Sequence, residues 1–485
     1  MSRKERMMPI RQIFCALVLL TAATLWAQDN SGQNSDAQQA TPPPAAFGQE
    51  GSPVVVNDNP PISGLDQPSL EPKIQPRSML LGGVEASESL DTNIGSDAKP
   101  ALHSVTRGLG GLTMQRLWSR YQLAAAYVGG VGYYNSTALG LRQLHELQAQ
   151  QTILWKTGQL SLRDSFSYLP EGTFGYGSYG GAGGFQLGLG GIGEGMGMLG
   201  SGFGGHYGIL GSTQFGSLGQ SPHITNVTVA DVVENLTPRS SVTAAASYGI
   251  VHFTDNTLNL INSRQFGGQL GYDRTLGPKD QIALMFGYLS FQFPGAVGAD
   301  NVNSDVAQVL YGRRISGRMD LVMGVGPQWT QIHDPLSGTT TRLTASGRFT
   351  LRYRLRKASL AASYERFDTA GSGFFAGGQS DIARGSISRP LGRRYNAEAD
   401  LGFARTKRLQ TVSVGVNANS FDYAFAGFAV RRQFGYNWGA FLGYQWNDQI
   451  LDASFCTAGT PCNRISVRHV LTIGVDWHFR PIRID

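Results

Sequence analysis

Arg348, Arg352 and Arg354 share one parity of residues 343–355 with Thr344, Ser346 and Thr350, while Leu343, Ala345, Gly347, Phe349, Leu351, Tyr353 and Leu355 hold the other. In a strand the two parities point to opposite faces. Guanidinium groups aligned this way draw anions or pair with carboxylates; they supply neither a nucleophile nor a base. Arg464 and Arg468 repeat the pattern near the C-terminus, and Glu398, Asp400 and Asp476 are carboxylates on the polar parity of their own segments. Two outcomes are open for such a wall. Either the arginines bias the space they face toward anions, or carboxylates, Glu365 among them, balance them and leave no net selectivity.

Other chemistry has little to stand on. Cys456 and Cys462 bracket a short polar stretch, and in an oxidising compartment they are expected to form a local disulfide. His103, His206, His333 and His469 are scattered without ligand spacing, so no metal or other cofactor is expected. Gly200-Ser201-Gly202 lacks the nucleophile-elbow pattern, and no enzyme activity is predicted. The net charge is +6, but no basic helix or RNA-binding motif accompanies it, and no nucleic-acid partner is expected.

Charges on one strand face need elements that keep the other face dry. From Met79 onward, strand-like segments are punctuated by short turn clusters near residues 118–120, 157–159, 237–239, 277–279, 316–318, 356–357, 391–393 and 435–437. Longer polar connections fall between them, near residues 135–143, 294–303, 333–341, 369–379, 407–419 and 451–463. Eight short turns join nine pairs of strands, which predicts a transmembrane antiparallel β-barrel of about 18 strands (16 to 20 allowed) over residues 78–479, with long outer loops. An arginine facing lipid at the midplane costs roughly 2–4 kcal/mol, so the Arg348 face must be the inner one. Asn396, Glu398 and Asp400 oppose Ala397, Ala399, Leu401 and Phe403 in the same way. Residues 280–293 fit less well, because they are apolar on both parities.

The last segment, 464–479, puts Ile465, Val467, Leu471, Ile473, Val475, Trp477 and Phe479 on one parity. It resembles the closing strand of Gram-negative outer-membrane β-barrel proteins, in which alternating apolar residues and a final aromatic are read by the barrel-assembly machinery. The resemblance implies that role for Trp477 and Phe479, although residues 480–485 follow as a C-terminal tail where the usual pattern ends on the aromatic. Residues 80–93, with Leu90-Asp91-Thr92-Asn93, look like the opening strand of putative porins. In general porins the third outer loop folds inward, and residues 171–220, a glycine-rich insert with Phe, Tyr, Met and Leu, hold that place by order alone.

The chain opens with Arg3, Lys4, Arg6 and Arg11, an apolar run over residues 13–25 and then Trp26-Ala27, the make-up of a cleaved signal peptide over residues 1–27. Residues 28–77, rich in Gln, Ser and Pro, are expected to be a disordered periplasmic segment. Charged residues are only 15% and glycine 64 of 485, a strand-and-loop composition. Taken with the resemblance, the expectation is a protein of the cell outer membrane, with lipid, the assembly machinery and small solutes as partners. Its activity would be passive passage of small hydrophilic solutes, anions included. A surface-anchoring barrel and an export partner are the alternatives, and the oligomeric state is open.

Overall fold

The structure, a computed structural model, describes residues 61–65, 78–94, 101–135, 140–170, 222–254, 260–295, 301–334, 338–371, 373–410, 418–455 and 464–484. Residues 1–27, expected as a signal peptide, most of residues 28–77, the glycine-rich insert and both Cys456 and Cys462 lie outside them.

Alternating apolar and polar residues produce β1 (Met79–Asp91), β2 (His103–Leu117), β3 (Tyr121–Tyr134), β4 (Gly140–Leu154), β5 (Gly158–Leu169) and β6 (His223–Thr237). The meander continues with β7 (Ser240–Phe253), β8 (Ser263–Thr275), β9 (Asp280–Gln292), β10 (Val302–Ser316), β11 (Met319–Asp334) and β12 (Gly338–Arg354). It ends with β13 (Ser359–Thr369), β14 (Gly378–Pro390), β15 (Tyr395–Arg408), β16 (Ser420–Phe434), β17 (Trp438–Leu451) and β18 (Ile465–His478). Each strand pairs antiparallel with the next, and β1 pairs with β18 from Gly83↔His478 to Asp91↔Val470. The ring is therefore closed. Closure satisfies every ladder through a hydrocarbon layer, where an open sheet edge would cost several kcal/mol per unpaired group.

The outer face is apolar. Val84, Leu112, Leu284, Phe286, Val325, Leu343 and Ile473 are all exposed on it. At the short-turn end, guanidinium groups lie over aromatic rings: Arg116 is 4.9 Å from the Trp118 ring and Arg432 4.6 Å from that of Phe434. Such pairs suit the boundary between lipid tails and headgroups, where a ring can be half buried and a charge stays wet.

Three expectations change. The connection expected near residues 333–341 is tighter, because β11 and β12 continue their ladder to Asp334↔Gly338; Thr339, Thr340 and Thr341 are β-branched and favour strand. The C-terminal tail belongs to the wall, since Ile482–Arg483 forms a short β19 that pairs with Met79 and Leu80 of β1. Those two residues extend past the ladder with β18 and would otherwise leave backbone groups unpaired on that side. Residues 61–65, within the stretch expected to be disordered, are buried.

Candidate functional site: the barrel interior

An 18-stranded ring at about 4.8 Å spacing and 40° tilt is roughly 35 Å across its backbone, too wide for wall side chains alone to fill. What occupies the interior decides what can pass. Three features do so.

The first is a set of ion pairs on the inner face. Arg468 donates through Nε to Asp91 Oδ2 at 2.6 Å, across the β18–β1 closure. Arg431 Nη2 lies 2.8 Å from Asp476 Oδ2, Arg384 Nη2 3.2 Å from Asp400 Oδ2, and Arg163 Nη2 3.4 Å from Asp231 Oδ1. Glu398 accepts from Asn396 Nδ2 at 3.0 Å. Arg348 stands opposite Glu365 in the β12–β13 register, and Arg352 opposite Asp320 in the β11–β12 register. The sequence-flagged arginines do not form one ring: Arg354 and Arg352 lie near the short-turn end, Arg348 further in, and Arg468 and Arg464 toward the long-loop end. Trp477 and Phe479 sit at the seam, Trp477 opposite both Val84 and Trp438, and Phe479 donating its N–H to Gly82 O at 3.1 Å.

The second feature is a loop that crosses the interior. The β12–β13 ladder stops at Gly347↔Arg366. Beyond it the end of β13 turns inward, and Asp368 accepts from Ser304 Oγ of β10 at 3.1 Å and from Thr330 Oγ1 of β11. The connection 370–377 then runs across the barrel. Gly371, Gly373 and Gly377 take φ of +81°, +81° and +89°, a backbone that side chains with a Cβ rarely adopt. A Cβ on Gly373 would also lie 2.6 Å from the Phe253 ring of β7. Phe374 and Phe375 have no exposed surface. They belong to one apolar cluster with Val251 and Phe253 of β7 and with Phe421, Tyr423 and Phe425 of β16. In the ring order β7 and β16 are nine strands apart, on opposite walls. The loop therefore bridges the barrel.

The third feature is an apolar patch on the inner wall from β6 to β11. Val227, Val229, Met285, Leu289, Phe291, Val302 and Leu310 pack there, together with Ile62 and Leu65. This accounts for the two apolar faces of β9. Its register is regular, with Ile282, Leu284 and Phe286 outside, but its inner residues meet protein instead of water.

Sequence reasoning offered residues 171–220, by order alone, as one candidate for an inward-folding loop, with outside adhesion or mobility as the alternatives; they lie outside the described residues, and residues 370–377 were passed over. The usable signal was a Phe-Phe pair set among glycines in a loop otherwise expected to face water. Strand β16 gave a second: Phe421, Tyr423 and Phe425 share the parity opposite Phe428, so both faces carry aromatics.

Neither a known protein family nor a curated protein matches the chain. Among solved structures it is similar to Pseudomonas aeruginosa OccK2 (OpdF) in complex with glucuronate, at 8% identity over 83% of this chain and 98% of that one, TM-score 0.41. It is similar to P. aeruginosa OpdK with vanillate at 7% identity over 82% and 98%, TM-score 0.40. The ferric-catecholate import receptor Fiu of E. coli K12 is similar at 9% identity over 82% and 81%, TM-score 0.39.

Proposed function

We propose that the chain is an outer-membrane channel for passive diffusion of small hydrophilic solutes, narrowed at rest by its own interior loop. The observation that carries this is the wall itself: a closed barrel, apolar outside, whose interior faces carry Arg468–Asp91, Arg431–Asp476 and Arg384–Asp400 pairs. Of these, the mid-strand Arg384–Asp400 pair keeps the most side-chain exposure and presents both signs to a passing solute, which gives weak selectivity there. At the short-turn end Arg318, Arg352, Arg354, Arg356, Arg393 and Arg394 raise the positive charge, and this mouth favours anions. In this reading the chain is exported by a cleaved leader, its short turns face the periplasm, Trp477 and Phe479 serve the assembly machinery, and Cys456 and Cys462 form a loop disulfide.

Planar bilayers test the proposal. Purified protein should give stepwise currents, with a reversal potential in a salt gradient displaced modestly toward the anion. Silent bilayers from protein that still migrates as a heat-modifiable barrel would favour a non-transporting anchor.

A further inference from the structure

Residues 61–65, Pro-Ile-Ser-Gly-Leu, sit inside the barrel with Ile62 and Leu65 4% and 3% exposed and Ser63 fully buried. They are fixed by one carboxylate. Asp273 Oδ1 of β8, itself 1% exposed, accepts from the N–H of Ile62 at 2.8 Å and of Ser63 at 3.0 Å. Its other oxygen accepts from the Ser63 hydroxyl, which also meets Thr243 Oγ1 of β7 at 2.7 Å. Gln269 of β8 donates to Ser63 O, and Arg348 Nη2 of β12 donates to Ile62 O at 2.6 Å.

The wall leaves room for these contacts. A Cβ on Gly271 would collide with Ser63 Oγ, and one on Gly312 of β10 would come within 3.1 Å of Ile62 Cγ2. Four strands thus present a carboxylate, an amide, a hydroxyl, a guanidinium and two side-chain-free positions to one stretch of backbone. That set matches every polar group of Ile62 and Ser63: two N–H donors and a hydroxyl on a carboxylate, two carbonyls on N–H donors, with the apolar side chains of Ile62 and Leu65 buried beside them. The contacts lie toward the short-turn end, and β8 to β10 stand across the ring from β1. The peptide is therefore anchored on the wall opposite the strand that its own chain enters next.

We propose that this wall is a peptide-binding site, and that residues 61–65 are its resident and removable ligand, an internal stopper for the channel. The site takes a short apolar-Ser-Gly-apolar segment. The resident copy belongs to the same chain as its site, so an outside peptide competes with an intramolecular ligand and binds only once the resident copy is gone. The gating consequence rests on the channel reading; the binding site does not.

The test uses the full chain with Cys456→Ser and Cys462→Ser, carrying Ser63→Cys and Thr243→Cys. Mild oxidation of the folded, heat-modifiable barrel should join the two thiols, and adding Gly271→Val should slow the joining at least tenfold. Should the paired variant fail to fold, Ser63→Cys alone reports through maleimide labelling: it should react at least tenfold more slowly than in the same protein with Gly271→Val. A protein lacking residues 61–65 should bind a capped Pro-Ile-Ser-Gly-Leu peptide saturably, and the intact chain at least tenfold more weakly. Thiols that stay open in the folded barrel, indifference to Gly271→Val, or no peptide binding by the deleted protein would each overturn the proposal. Joined thiols and bound peptide in a barrel that never conducts would instead remove the channel reading and leave the site standing.

Discussion

The Phe374 ring, carried by the loop after β13, lies 4.9 Å from the Phe421 ring of β16 and inclined to it by 40°. The same loop touches Phe253 on the opposite wall, so this contact holds a bridge in place. Burying two phenylalanines contributes about 1.5–3 kcal/mol each. Truncating both therefore removes on the order of 4 kcal/mol, roughly a thousandfold in the ratio of closed to open loop. Phe374→Ala with Phe375→Ala should give larger and longer-lived current steps, while the barrel keeps its heat-modifiable migration because no wall ladder is touched. Unchanged step size would mean that the loop does not limit passage.

The Arg468–Asp91 pair stitches β18 to β1 with both side chains almost wholly buried. Breaking a buried pair from one side leaves an uncompensated charge and costs about 3–5 kcal/mol, whereas replacing both partners by apolar residues of similar size is close to neutral. Arg468→Met should lower the midpoint of urea unfolding in lipid vesicles, and Arg468→Met with Asp91→Leu should recover most of the loss. If the double variant is no better than the single one, the pair is not the source of the effect.

Strand positions, faces and the long-loop and short-turn ends were legible because they are local: Thr237-Pro238-Arg239 marks a turn by its own chemistry, and Leu343 and Arg348 reveal opposite faces by parity. The interior was not legible, because its contacts join residues remote in sequence. Ser63 and Asp273 are 210 positions apart, and nothing in either neighbourhood names the other. Parity also assumes water inside a barrel. It misled at β9, where Met285 and Leu289 face inward onto protein. Which carboxylate meets which arginine was not legible either, because it depends on strand register: Asp476 meets Arg431, two strands away, and not an arginine of its own strand.

Phe479 packs on Gly82, where a Cβ would come within 2.5 Å of its ring. The two residues help to bring the last strand against the first. Gly82→Val should slow refolding into lipid vesicles by forcing the ring aside at the closing seam, and adding Phe479→Ala should restore the rate by vacating the space. In cells the outcome should reverse for the single Phe479→Ala protein: its refolding in vitro stays near normal, while the amount reaching the outer membrane falls if the assembly machinery reads that ring. Equal loss in both settings would make Phe479 a packing residue and no signal.

Asp452, just past β17 at the long-loop end, accepts from the N–H of Asn419 at 2.9 Å and of Ser454 at 3.0 Å, and from the Ser454 hydroxyl. Partial burial pushes its carboxyl up, but the Ser454 hydroxyl and these backbone donors outweigh it and hold the group below its ordinary value of 3.8. A carboxylate depressed in the folded state contributes stability above its unfolded value, and that contribution disappears as pH falls through the folded one. The clasp between the β15–β16 and β17–β18 connections should hold at pH 5 and above and loosen only below about pH 3.8. Hydrogen exchange at the Asn419 and Ser454 amides reads this directly. Protection should fall in acid for the parent and be flat with pH for Asp452→Asn; a parent whose protection is lost by pH 5 would show that the carboxylate is not held down by these donors.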